Sequence, residues 1–109
     1  MEIDSEKLLK DMLKAASVVL KKQWPKSRDY AENEFRKLLI EAQHIAQLKK
    51  NAKITEQEAK YLMDLQRNAS RAVLLTIKGL GIIAVEGAIN AALDVARDTI
   101  NDAVGWKIL

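Results

Sequence analysis

Glu41-Ala42-Gln43-His44 is the stretch of this chain whose residue types and spacing best suit metal chemistry. Three residues apart on a helix, a glutamate and a histidine share a face, and paired Glu-x-x-His motifs hold the metals of ferritin-like carboxylate bundles. Here the motif occurs once and His44 is the only histidine. A site built on Glu41 and His44 would therefore need a second copy of the chain, with Glu34 as a further ligand. A single histidine beside an apolar stripe is more commonly a boundary residue. We expect no metal and no cofactor, and keep the metal-carboxylate bundle as an alternative.

Other chemistry finds less material. The chain has no cysteine, and Ser5, Ser17, Ser27 and Ser70 sit in no nucleophile signature. Gly79-Leu80-Gly81 does not continue into a phosphate-binding loop, because Lys78 precedes it and no strand leads in. Glu86, Asn90, Asp94, Asp98 and Asp102 recur every fourth residue as an acidic ridge, a pattern that more often faces basic side chains than a divalent cation. The expectation is a protein that is not an enzyme.

The net charge is +3, with twelve basic against eight acidic residues up to residue 53 and six against seven after it. Lys7, Lys10, Lys14, Lys21 and Lys22 form a basic row, which reads first as a solvated helix face. Weak nucleic-acid binding through that row is a further alternative, since strong binding needs a denser basic face.

The elements that would carry these residues follow from composition and period. At 109 residues, 49% hydrophobic and 30% charged, the chain is a single globular domain, and one proline with four glycines leaves little material for turns. A few long helices are the economical solution. Their predicted spans are about 5–24, 28–50, 55–78 and 82–104. Asp4 or Ser5 caps the first and Pro25 ends it; Ser27 caps the second. Thr55 and Glu58 form a capping box at the start of the third. Short links force neighbouring helices antiparallel, so the predicted fold is all-α, an up-down-up-down four-helix bundle that oligomerises.

Arg71 to Arg97 is the longest apolar passage, and the rest is organised around it. Ile82, Val85, Ile89, Leu93, Ala96 and Ile100 form a stripe to be buried. Arg67, Arg71 and Lys78 supply cations for the acidic ridge if the chain folds back at Leu80, whereas one continuous helix across both glycines is the competing arrangement. Gly87, among Ala84, Ala88, Ala91 and Ala92, predicts a close helix crossing. From Ala72 to Val85 almost no side of the helix is polar, so more than one face needs cover. Trp24 lies at the same end of the bundle, placed to cap the apolar tip.

We therefore expect self-association, as a homodimer or larger, through Leu74, Leu75, Ile77, Leu80, Ile82, Ile83 and Trp106, with another helical protein as a further partner. A membrane-active role for the same hairpin is the rival, although Lys78, Glu86 and Asn90 interrupt the passage and argue against a spanning helix. No strong nucleic-acid or membrane signal accompanies it. The beginning, MEIDSEKLLKDMLK, lacks the apolar run of a signal peptide, and the expected location is cytoplasmic.

Overall fold

Helix α1 (Ser5–Leu20) begins where the carboxylate of Asp4 accepts a hydrogen bond from the Lys7 amide at 3.1 Å. The computed structural model describes residues 3–109. Four α-helices are present among them, and no strand. Leu8, Leu9, Met12, Leu13, Ala16 and Leu20 recur at helical spacing along α1 and are all buried.

The α1–α2 junction differs from the expected one. Helix α1 stops at Leu20 rather than Trp24, a single 3-10 turn spans Lys21–Gln23, and α2 (Trp24–Lys50) starts before Pro25. Pro25 thus opens a helix instead of closing one, since its missing N–H is not needed in a first turn. Ser27 does not cap α2; it is buried one turn inside, its hydroxyl donating to the Gln23 carbonyl at 2.7 Å. Lys21 adopts a φ of 51°, which lets the chain reverse within three residues.

At its far end α2 closes in a Schellman motif. The Lys53 amide donates to the Leu48 carbonyl at 2.9 Å and the Ala52 amide to the Lys49 carbonyl at 3.0 Å, with Ala52 in the left-handed position at a φ of 55°. Helix α3 (Glu56–Leu75) then opens on the expected capping box. The Glu58 amide donates to the Thr55 hydroxyl at 3.1 Å, and the Thr55 amide to the Glu58 carboxylate at 2.9 Å.

Residues 55–104 form a hairpin and not one rod. Helix α3 ends at Leu75, three residues before its predicted end, as the Thr76 hydroxyl bonds back to the Val73 carbonyl at 2.6 Å. Gly79, at a φ of 95°, carries the turn into α4 (Ile82–Val104). A reversal at Leu80 predicts Lys78 near Glu86, Arg71 near Asn90 and Asp94, and Arg67 near Asp94 and Asp98; because α3 stops early the pairing slips by about one helical turn, and Arg71 meets Glu86 while Arg67 meets Asn90.

The helices alternate in direction, as the predicted bundle requires. Arg36 of α2 reaches Glu6 at 2.7 Å and Gln43 reaches Ser5 at 2.7 Å, setting α1 and α2 antiparallel. The hydrogen bond to Glu6, then its charge, raises the Arg36 pKa above its ordinary value. Helices α1 and α4 pack most closely of all, α2 and α4 touch across the middle, and α1 and α3 do not approach one another. The cross-section is accordingly flattened, 24 by 17 Å over a length of 44 Å.

Small residues make the α1–α4 approach possible. Ala16, Ala88, Ala92 and Ala96 are fully buried, and a β-carbon at Gly87 would stand 3.1 Å from Cγ1 of Val19. Replacing Gly87 by leucine should therefore push α1 and α4 apart and lower stability by about 2 kcal/mol. Ala52→Gly should do the reverse, raising stability by about 1 kcal/mol by relieving an alanine held in the left-handed region. Urea unfolding checks both, and an unchanged midpoint for either variant would contradict the corresponding packing or cap.

Candidate docking surface

Folding hides most of the apolar passage but not all of it. Among the predicted contact residues, Leu74, Ile77 and Leu80 are buried within the chain itself, packed in the bundle core. Leu75, Ile82 and Ile83 are not, with 38%, 59% and 86% of their surface in water. The two isoleucines open α4, where the stripe turns inward only from Val85 onward. The candidate contact set at the hairpin therefore narrows to Leu75, Ile82 and Ile83.

Trp106 belongs to a different structure. After Gly105, in the left-handed conformation at a φ of 84°, the tail folds back on its own helix. The Asn101 side-chain oxygen accepts from the Ile108 amide at 2.9 Å and the Leu109 amide at 3.0 Å, and Ile108 is buried. Trp106 packs half-buried against the core, with the Lys49 ammonium 4.7 Å above its ring. The same ammonium donates to the Val104 carbonyl at 2.9 Å, satisfying a free end of α4. Trp24 is likewise partly buried against the core.

Helix α3 carries a second exposed row that periodicity read inward concealed. Tyr61 and Leu65 are 64% and 47% exposed, and Asn68 and Ala72 are exposed as well. With Leu75 they recur at steps of four, three, four and three, the spacing that keeps a narrow seam on one side of a helix. Met63, Ser70 and Leu74, the buried residues of the same segment, occupy the opposite side. Leu65 was legible as apolar, but without α2 and α4 in place nothing in the sequence tells that it faces outward.

The polar candidates do not converge. His44 is exposed and its Nδ1 lies 3.3 Å from the Glu41 carboxylate, a contact between two side chains one turn apart on the open face of α2. Among the described residues no group of three or more histidine, cysteine, aspartate or glutamate side chains is placed to hold a metal ion. Glu34 is buried apart from that pair: one carboxylate oxygen accepts from Lys37 at 3.1 Å, and the other has no partner, nor has the Ser70 hydroxyl. An open groove of about 590 Å3 runs between the ends of α2 and α4, lined by Ile3, Ala46, Lys49, Lys50 and Val104 among others. Among the described residues that line it there is no acid, histidine or hydroxyl.

No family model matches the chain, and no curated protein or solved structure does. The apolar surface left by the fold is the site with the clearest physical content. Glu34 is a stability liability: half-satisfied and buried, with a lysine partner that is itself exposed and can return to water. Glu34→Met should raise stability by about 1 kcal/mol, because an apolar side chain of similar volume leaves no orphaned charge behind. Thermal unfolding checks it, and a lower midpoint would show that the carboxylate is better satisfied than its geometry indicates.

Proposed function

We propose that this chain is a non-enzymatic helical interaction protein that self-associates through the exposed side of its C-terminal hairpin. The supporting observation is that Leu75, Ile82 and Ile83 are the large apolar side chains of the Ala72 to Val85 passage left exposed, while Leu74, Ile77, Leu80 and Val85 are buried. Large apolar side chains gathered at one end of a small protein are the usual mark of a contact surface.

Magnitudes say how much surface such an assembly needs. Fully burying one of these side chains gains about 1.5–3 kcal/mol, and all three are already partly covered. Association costs about 4–15 kcal/mol in lost motion before any net affinity appears. Three side chains from each copy come close to that cost without clearly exceeding it. A lasting dimer must therefore recruit apolar surface beyond the tip.

A second reading rests on charge. Residues 17–28 and 72–85, which meet at the same end of the bundle, carry Lys21, Lys22, Lys26, Arg28 and Lys78 and no acid. Val18, in the first of these stretches, is exposed as well. Apolar side chains rimmed by cations suit the surface of an anionic bilayer. No helix among the described residues is long and apolar enough to cross one.

Sedimentation equilibrium at tens of micromolar separates the readings. Self-association predicts a mass of at least twice the chain, reduced towards the monomer in Ile83→Lys with helix content unchanged. A monomeric native protein that instead pellets with anionic vesicles, and not with neutral ones, would replace the first reading by the second.

A further inference from the structure

The outer face of α3 is a seam without a partner, and the structure says what kind of partner fits it. Tyr61, Leu65, Ala72 and Leu75 supply the apolar positions, and Asn68 stands in the middle of them. Among the described residues, nothing in the chain covers this side: α3 is held by α2 and α4 and does not approach α1. The Asn68 side-chain oxygen accepts from Arg71 at 3.2 Å, and a polar asparagine in an otherwise apolar seam costs stability and fixes register.

Charge along α3 sets the direction of the partner. Its first half carries Glu56, Glu58 and Asp64 against Lys60 alone, while its second half and the following turn carry Arg67, Arg71 and Lys78 with no acid. A second copy running parallel would set like charges side by side. Turned end for end, it sets each acidic half against a basic half. Tyr61 and Leu75 both lie two helical turns from Asn68, so placing Asn68 against its own copy puts Tyr61 beside Leu75 at either end. The same register lays Asp64 next to Arg71, and turns Glu58 towards the turn that holds Lys78.

Asp64 has no ion-pair partner within the described residues, and Lys78 offers only its backbone carbonyl, which accepts from Lys26. Both charged side chains are exposed and available to another chain. Arg71 meets Glu86 and also donates to the Asn68 side-chain oxygen, and its five-donor guanidinium has further hydrogens for another carboxylate.

We propose that two copies of this chain pair through α3, antiparallel, with Asn68 on the twofold axis and Tyr61, Leu65, Ala72 and Leu75 as the seam. This rests on the self-association reading and specifies its geometry. It also provides the additional apolar surface that the hairpin tip lacks. An isologous contact of this kind closes on itself and stops at the dimer.

The absence of cysteine makes the geometry directly testable. A residue on the twofold axis meets its own copy, so Asn68→Cys should oxidise to a disulfide-linked dimer, which requires α-carbons about 4.4–6.8 Å apart. Asp98→Cys, exposed on α4 and not a seam residue, serves as the collisional control. The expected result is nearly complete dimer for Asn68→Cys under mild oxidation, little for Asp98→Cys, and loss of the crosslink when Leu65→Glu is added. In sedimentation, Leu65→Glu and Asp64→Lys should each raise the dissociation constant about tenfold or more, with unchanged circular dichroism. A native dimer in which position 68 crosslinks no faster than position 98 overturns the seam and leaves self-association standing. A native monomer that gives no crosslink at position 68 overturns both.

Discussion

The close approach of α1 to α4 is the constraint on which the rest of this structure depends. Ala16, Gly87, Ala88 and Ala92 remove the side chains that would hold the two helices apart, and Val19 stands where a β-carbon at Gly87 would crowd it. Once α1 sits there, it covers one flank of the most apolar helix, and α2 covers another across the centre of the bundle. Helix α3 is then left at the edge. Its inner side finishes the core, while its outer side receives no cover from any other described element.

Two lysines of α2 keep that arrangement in register. Lys26 near its start donates to the Lys78 carbonyl in the hairpin turn, and Lys49 near its end donates to the Val104 carbonyl at the close of α4. Both bonds satisfy carbonyls that a turn or helix terminus would otherwise leave to water. They also fix α2 and α4 as parallel diagonal partners, since the first residues of one helix lie near the first of the other. The ion pair of Arg71 with Glu86 and the bond from Arg67 to Asn90 do the same for α3 and α4, and being exposed or half-exposed they select alignment more than they add stability.

Much of this was legible from residue order alone. The capping box at Thr55 and Glu58 and the close crossing at Gly87 each follow from a local rule that tertiary context did not override; the stripe expected from Ile82 is buried only from Val85 to Ile100, Ile82 itself being exposed, and the reversal near Gly79 is one of the two arrangements that the glycines allow. Local rules failed where two of them competed. Pro25 can end a helix or begin one, and the choice was made by Lys21, whose positive φ no propensity scale favours. Leu74 and Leu75 are adjacent leucines with similar propensities, yet one is sealed in the core and the other faces water, because burial depends on where α2 and α4 fall around α3. Tyr61 and Leu65 stayed hidden for the same reason: a helix with two apolar sides shows no single period that separates the inner from the outer.

Pairing of the outer side of α3 with a second copy of itself is open to direct measurement. Amide chemical shifts followed through a dilution series, from high to low micromolar concentration, report it residue by residue in the unmodified protein. Pairing through α3 predicts shifts that move with concentration along Tyr61, Leu65, Asn68, Ala72 and Leu75 and hold still along the basic row of α1. Shifts that are independent of concentration over that whole range, or that move on α1 in place of α3, would contradict it.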